Sequence, residues 1–341
     1  MHQLRQMIRR VNATHRGLGP LIAMNVLTAK SKKTILNVAP SGCGKSVATN
    51  SVATGLGERA QWYDSITLAG LVRLKSQFSF YDGHVVVDDL GMEKSLWSRT
   101  STIAVLANLV YGHMIRKITH SYEINIEDFR GSVSMNIQPV MLHSLVQSDE
   151  WVAVVRDKVI RYYHLIRPAR PHRDPPDIEI NWGPALHEVA LPTFKGRLWY
   201  QLIDVGLTQW SFARVEEHIP DLLRACAALD GRKKVETGDL RLLIKLLQPL
   251  RLERHIIETF GFETGRIFDN NLYCILVELA SFGEPTLFQI AVDYKVDMST
   301  VRRLVGTVHR WCYVKNDEPA RVAPTDEAKE LLKVCGVNQR W

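Results

Sequence analysis

Aspartate and glutamate are absent from the first 57 residues of this 341-residue sequence, whereas eight of its 43 lysines and arginines lie there. The rest of the chain carries 35 basic and 36 acidic side chains, so the formal net charge of +7 originates entirely in the first part. Such a concentration of positive charge favours a polyanionic partner, a nucleic acid or a nucleotide. The alternative is a solvated basic arm, which we predict for residues 1–19.

Long apolar runs and paired cysteines are also missing. No apolar stretch approaches the roughly 20 residues that span a bilayer, and the basic start lacks the apolar segment and cleavage site of a secretion signal. The five cysteines are scattered, which favours neither a zinc site nor a disulfide framework. We therefore expect no membrane partner and a location in the cytoplasm or on the nucleoid. The chain length predicts two or three domains.

The clearest motif is VAPSGCGKS at residues 38–46, between the β-branched segment KTILN and a segment of helical character. It matches the phosphate-binding loop G-x-x-x-x-G-K-[ST], except that Ala39 stands at the first glycine position. Alanine is sterically acceptable there if its φ angle is negative. Backbone N–H groups of such a loop surround phosphates at the start of the following helix. The candidate nucleotide-binding residues are Ser41, Gly42, Cys43, Gly44, Lys45 and Ser46.

A second motif is the apolar run HVVV followed by Asp88 and Asp89. This pattern is typical of a buried parallel strand that ends in carboxylates at one edge of a sheet. We predict that ATP binds with Lys45 beside its β- and γ-phosphates, and that Ser46 and Asp88 hold Mg²⁺. Asp89 is then the candidate for polarising the attacking water.

The order of these motifs resembles that of AAA+ ATPases. GSVSMNIQP at residues 131–139 is similar to the strand of that family that carries a polar residue beside the γ-phosphate, which assigns this role to Asn136. The resemblance implies an α/β core with a parallel sheet at residues 20–168, ATP hydrolysis, and a homo-oligomer such as a hexameric ring or a spiral. Glutamate is usual at the second acidic position, so Asp89 leaves the hydrolysis rate open.

The resemblance also implies an arginine finger that reaches the γ-phosphate of the neighbouring subunit. The usual arginine position holds Lys158 here, within the sequence DKV. Because arginine binds phosphate through a planar fork that lysine lacks, the candidates are Arg156 and, after it, Arg161. A surface ion pair is the alternative for either residue.

Two further segments resemble parts of AAA+ relatives. Alternating apolar residues within residues 109–129 predict a hairpin, which in helicases of the MCM type contacts DNA; this implies DNA contacts for Arg116, Lys117 and His120, unless the segment is a solvated loop. Residues 169–192 contain five prolines and are predicted as an extended linker.

Residues 193–262 are predicted as an α-helical lid similar to those of MoxR and MCM proteins. In those families an arginine opens a helix that ends in A-A-L-x-G-R; here Arg214 stands 17 residues before Gly231. The resemblance makes Arg214 a candidate for contacting the γ-phosphate, and a solvent-facing arginine is the alternative. Pro220 is expected to kink this helix.

The last segment, residues 263–341, has the pattern of a winged helix-turn-helix. Its third helix is expected to begin at the N-cap Ser299 and to bury the apolar residues Val301, Leu304, Val305, Val308 and Trp311. The opposite face presents the DNA-contact candidates Thr300, Arg303, Thr307 and Arg310. A module that binds a protein partner instead is the alternative.

The leading functional hypothesis is an oligomeric ATPase that binds or remodels DNA, as replication initiators, helicases, helicase loaders and transposition helpers do. VVVDDLGMEKS resembles the paired-aspartate strand of helicase loaders and insertion-sequence helper ATPases. A MoxR-type chaperone that remodels proteins and a signalling switch that holds nucleotide beside a winged helix are the alternatives.

Overall fold

The computed structural model describes residues 3–90, 95–118, 123–146, 151, 155–170, 174–254, 270–337 and 341. A five-stranded parallel sheet lies at its centre, in the order β2–β3–β6–β1–β7. In chain order these strands are β1 (Thr34–Val38), β2 (Ala60–Tyr63), β3 (His84–Val87), β6 (Ser132–Ile137) and β7 (Val159–Tyr163). The predicted α/β class with a parallel sheet is confirmed.

Four of the strands are buried along their whole length, because helices cover both faces of a parallel sheet. Strand β6 lies between β1 and β3, although it follows both in the chain. Its register pairs Asn136 with Asn37 of β1 and Met135 with Val87 of β3. The carboxyl ends of these three strands are therefore level with one another.

Helices from the first half of the chain cover the two faces. One face is covered by α1 (Gln3–Thr14), α2 (Leu18–Ser31) and α3 (Lys45–Leu56). The other is covered by α4 (Leu68–Phe78), α5 (Leu96–Gly112) and α6 (Pro139–Val146). Strand residues alternate between the two faces: Ile35 packs on the first and Leu36 on the second.

Most of the range predicted as a basic arm is a packed helix. Leu4, Met7, Ile8 and Val11 of α1 are buried at the spacing of one helical face. They join the same apolar cluster as α2 and the later helix α8 (Phe212–Leu229). The prediction of a solvated arm fails here because the arginines interrupt an amphipathic pattern without disturbing its apolar face.

The hairpin prediction for residues 109–129 agrees with the antiparallel pair β4 (Ile115–Ile118) and β5 (Glu123–Ile126). The exposed side chain of Arg116 lies 3.5 Å from the carboxylate of Glu127, and Lys117 belongs to β4. His120 lies outside the described residues.

After an extended stretch at residues 174–192, three helices follow: α7 (Arg197–Gly206), α8 and α9 (Thr237–Leu247). Helix α8 continues through Pro220 as one element. The three helices pack with α1 and α2 on one face of the sheet. No helix among the described residues is long and apolar enough to cross a membrane.

The last part of the chain is a compact unit on the other face of the sheet. Its elements are α10 (Asn270–Phe282), α11 (Leu287–Tyr294), α12 (Met298–Thr307), the antiparallel strands β8 (Cys312–Lys315) and β9 (Arg321–Pro324), and α13 (Asp326–Val334). The cap of α12 is Asp297, whose carboxylate accepts from the Thr300 backbone N–H at 2.8 Å. The predicted N-cap, Ser299, is therefore wrong by two residues.

Candidate nucleotide-binding site

The loop between β1 and α3 has the geometry of a phosphate cradle. Gly42 and Gly44 adopt φ angles of 78° and 82°, which side chains rarely tolerate. A Cβ on Gly44 would also lie 2.8 Å from the Leu18 side chain. Ala39 is not among the residues with positive φ, so alanine at the first glycine position introduces no backbone strain.

Lys45 begins α3 and bends back over the loop. Its Nζ donates to the carbonyl oxygens of Ala39 at 2.6 Å and Pro40 at 2.9 Å. Burial lowers the pKa of Lys45, against the opposing charges of Asp88 and Asp89, which raise it. An anion that bound beside Nζ would therefore stabilise the charged form of a desolvated lysine.

The two aspartates directly follow β3 at the same edge of the sheet. Backbone bonds align this segment with the end of β2: the Asp88 N–H donates to Tyr63 O at 2.9 Å, and the Asp89 N–H to Asp64 O at 2.8 Å. This pairing continues the ladder beyond the last strand residue. Both carboxylates consequently lie at the cleft that the loop borders.

Asn136 connects the loop side of the site to the acidic side. Its Nδ2 donates to Asp88 Oδ1 at 2.7 Å and to Thr49 Oγ1 at 3.0 Å, while its Oδ1 accepts from Asn37 Nδ2 at 3.0 Å. Asn37 in turn exchanges two side-chain bonds of 3.0 Å with Asn25 of α2. All three asparagines are buried. Their bonds fix the orientation of the Asn136 amide, which in turn orients one oxygen of Asp88.

These parts enclose one cleft of about 300 Å³. It is lined by Ser41, Gly42, Gly44, Lys45, Ser46, Val47, Asp88, Asp89, Asn136, Ile137 and Gln138. Cys43 differs from the other residues of the predicted loop set, because its side chain is fully buried beneath the loop and burial raises the pKa of its thiol. Only the backbone of Cys43 is suited to contacting a ligand.

Asn25 and Asn37 were missed by sequence reasoning. The available signal was an asparagine inside the otherwise apolar strand TILNV, since a buried amide requires a hydrogen-bonding partner. That partner is Asn136, 99 residues away in the sequence.

Arg161, the second candidate for an arginine finger, is fully buried in β7. It makes a bidentate pair with Glu253, with Nε and Nη2 at 2.8 and 3.0 Å from the carboxylate oxygens, and it also donates to the Arg156 and Gln209 carbonyls. A finger has to reach another subunit, so the prediction for Arg161 is wrong. Arg156 itself is partly exposed just before β7.

Arg214 lies at the opposite edge of the sheet from the cleft. It donates to Glu217 at 2.9 Å and to the Tyr111 hydroxyl. Glu217 also accepts from Lys33, which directly precedes β1. The five residues of β1, about 16 Å at 3.3 Å per residue, therefore separate Arg214 from the loop. Its predicted contact with a γ-phosphate in the same cleft is wrong.

The DNA-contact candidates of the last unit differ in their surroundings. Arg303 and Thr307 are exposed on α12, and Arg303 makes no ion pair within the described residues. Arg310 lies beyond α12, with Nε 2.6 Å from Glu327 Oε2. The Thr300 hydroxyl donates to Asp297 at 2.9 Å. Arg303 is thus the candidate that is most available to a ligand.

No protein-family model matches this chain, and no curated protein matches it. Among solved structures, it is similar to a protein from Cytophaga hutchinsonii that is described as an inferred ATPase. The two chains share 10% identity over 71% of this chain and 85% of the other, with a TM-score of 0.38. A likeness this low carries no functional conclusion, so the candidate site depends on its own geometry.

Proposed function

We propose that this chain is an ATPase of AAA+ type that binds Mg²⁺ and ATP in the cleft and couples hydrolysis to DNA binding or remodelling. One observation carries the ATPase part: three adjacent strands end at one edge and bring a phosphate cradle, an oriented asparagine and two carboxylates around a single cleft. Parallel sheets bind ligands at this edge.

The side chains divide into distinct roles. The N–H groups of the loop and Lys45 hold the phosphates, and the fixed Asn136 amide orients Asp88. The Ser46 hydroxyl and the Asp88 carboxylate supply the oxygen ligands that Mg²⁺ prefers, and the ion when bound would neutralise charge on the phosphates. Asp89, the second carboxylate at the cleft, would accept the proton of the attacking water.

The DNA part is supported by the last unit of the chain. Three helices followed by an antiparallel strand pair are the order of a winged helix-turn-helix, and an isolated bridge between Thr286 and Arg321 adds a third short strand. Exposed Arg303 and Thr307 on its third helix, α12, suit docking into a major groove.

Replacing both Arg303 and Arg310 with alanine should weaken DNA binding by at least about tenfold, since a good bidentate contact to a base contributes about 1–3 kcal/mol. Most of this loss should come from Arg303→Ala, because Arg310 is already paired with Glu327. Fluorescence anisotropy with labelled duplex DNA measures the effect, and Arg130→Ala removes an exposed, paired arginine elsewhere as a control. Wild-type affinity of the double variant would make this unit a protein-docking module.

A direct contact joins this unit to the nucleotide loop. The hydroxyl of Tyr273 on α10 bonds to the carbonyl oxygens of Val38 and His164, both at 2.8 Å. Val38 is the last residue before the loop. A cavity of about 510 Å³ lies beside this contact, between the loop and α10–α11, and it shares Ser41, Gly42 and Gln138 with the cleft. Movement of the loop on nucleotide binding is therefore transmitted to α10.

Tyr273→Phe should reduce the stimulation of ATP hydrolysis by DNA and leave basal hydrolysis largely intact. The variant keeps the ring in the core but removes both hydroxyl contacts, and we expect it to be destabilised by about 1–3 kcal/mol. Hydrolysis with and without DNA is compared in this variant and in Tyr313→Phe, which changes an exposed tyrosine of the same unit. Equal stimulation in both variants and wild type would exclude Tyr273 as the coupling contact.

The remaining parts of the proposal concern assembly. We propose a homo-oligomer, a hexameric ring or a spiral, in which Arg156 acts on the ATP of a neighbouring subunit. The hairpin residues Arg116 and Lys117 are proposed to contact DNA in such an assembly. The alternatives are a MoxR-type chaperone, which would lack DNA stimulation, and a signalling switch, which would bind ATP without turnover. Phosphate release from ATP, measured with and without DNA, separates the three.

A further inference from the structure

An unusual group of cations surrounds Trp182, in the extended stretch after the parallel sheet. The Nζ atoms of Lys30 and Lys32 lie 5.0 and 6.0 Å from the centre of the indole ring, and the guanidinium carbon of Arg59 lies 5.7 Å from it. Energetically significant cation–π pairs occur about once per 70–80 residues, so three cations on one ring are exceptional. We call these four residues the Trp182 cluster.

The fold concentrates these charges rather than dispersing them. Lys32 lies between α2 and β1, and Arg59 directly precedes β2, so both belong to the amino edge of the sheet. Lys30 is almost fully buried and donates to Pro184 O at 2.7 Å. Burial and the like charges of Lys32 and Arg59 lower the pKa of Lys30 to about 8. The three cations thus repel one another.

Acidic neighbours compensate for only part of this charge. Lys32 pairs with Asp82 at 2.6 Å, and Glu188 attracts Lys30 more weakly. Arg59 is exposed and makes no ion pair in the part of the chain that the structure describes. The cluster therefore keeps an excess of positive charge at the surface, with Arg59 free to bind an anion.

Other cations from the acid-free start of the sequence have different uses. Lys33 is compensated by Glu217 at 3.1 Å and Asp221 at 2.8 Å, and Lys45 belongs to the phosphate loop. Lys30 and Lys32 are the members of that basic segment that the fold brings together without full compensation. The sequence asymmetry and the Trp182 cluster thus point to the same polyanion.

The segment beyond the cluster adds positive charge. Ala190 forms a parallel bridge with Lys234, and its N–H donates to Lys233 O at 2.9 Å. Both lysine side chains are exposed. A linear polyanion that follows the extended stretch from Trp182 to Ala190 would meet these lysines next.

We propose that the Trp182 cluster is a binding site for the phosphodiester backbone of DNA, at the edge of the sheet opposite the ATP cleft and separate from α12. The indole ring holds the cations in place, Arg59 and Lys32 contact phosphates, and Lys30 fixes the segment that carries Trp182. The inference rests on the DNA part of the proposed function and is independent of hydrolysis.

The test measures duplex DNA binding by the full-length protein over a series of salt concentrations. Replacing Arg59 and Lys32 together with alanine should lower affinity about tenfold. It should also reduce the slope of log affinity against log salt by about 1.8, because each lost phosphate contact contributes about 0.9. Arg59→Lys keeps the charge and should retain most of the slope. Trp182→Phe keeps an aromatic ring and should bind better than Trp182→Leu.

The outcomes separate this site from the winged-helix proposal. If the Arg59 and Lys32 variant has wild-type affinity and slope while Arg303→Ala binds weakly, the cluster is structural, and the inference falls while the proposed function stands. If the wild type hydrolyses ATP but binds no duplex, the inference and the DNA part fall together. Arg59 is exposed, so Arg59→Ala should fold normally even if Trp182→Leu does not.

Discussion

Lys45→Ala is expected to lose nucleotide binding, with an affinity for ATP at least about thirtyfold below that of wild type. Removing one member of a desolvated charge pair costs about 2–5 kcal/mol, and 1.4 kcal/mol corresponds to a factor of ten. Lys45 fits this case because burial already lowers the pKa of its amine, so a phosphate beside Nζ would be its main source of compensation. Titration calorimetry with ATP and Mg²⁺ measures the change.

A matched control for this variant is Lys75→Ala, which removes an exposed lysine from α4 on the other face of the sheet. We expect wild-type ATP affinity from it. Thermal unfolding checks that both variants are folded. If folded Lys45→Ala binds ATP as tightly as wild type, the loop is not the phosphate site, and the cleft needs another ligand.

Asp89→Asn is expected to bind ATP normally and to lower turnover by at least about a hundredfold. General acid–base catalysis contributes about 10²–10⁴-fold, and an amide cannot accept the proton of the attacking water. The change preserves the shape of the side chain, and the backbone bond from the Asp89 N–H to Asp64 O is unaffected. Single-turnover phosphate release, together with ATP titration, separates chemistry from binding.

Asp174→Asn makes the same change at an exposed position outside the cleft and should hydrolyse ATP at the wild-type rate. Normal turnover by Asp89→Asn would assign the water to another carboxylate. Glu93 is the nearest one in the sequence, and it lies outside the described residues.

Much of the cleft could be predicted from sequence because the chemistry of parallel sheets is local. A strand that ends in a glycine-rich loop and a strand that ends in two aspartates each announce their own carboxyl edge, and the edge is common to the whole sheet. The structure brings Lys45, Asp88, Asp89 and Asn136 to one cleft, as the separate motifs predicted. The positions of these residues follow from the strands that carry them.

The misplaced arginines show where such reasoning ends. Arg161 stands in a strand whose burial depends on Glu253, 92 residues later, and a buried arginine is stable only with such a partner. Arg214 was assigned through the pattern of its helix alone. Its distance from the cleft depends on how α8 packs against α2 and Lys33, and helix periodicity carries no information about that packing.

The basic start of the chain gave a correct signal with an incomplete interpretation. Counting charges could not distinguish Lys33, which two carboxylates compensate, from Lys32, which lies beside Trp182. Nor could it reveal that α1 buries an apolar face between its arginines. Both distinctions require partners from residues 182–221, far along the chain.

The most direct measurement is a crystal or electron-microscopy structure of the full-length protein with a non-hydrolysable ATP analogue and Mg²⁺. We expect the β- and γ-phosphates against the N–H groups of residues 42–45, with Lys45 Nζ moved from the Ala39 and Pro40 carbonyls to the phosphates, and Mg²⁺ between Ser46 and Asp88. An analogue bound anywhere else, or a loop that remains empty at saturating analogue with Lys45 still on those carbonyls, would contradict a nucleotide-driven function.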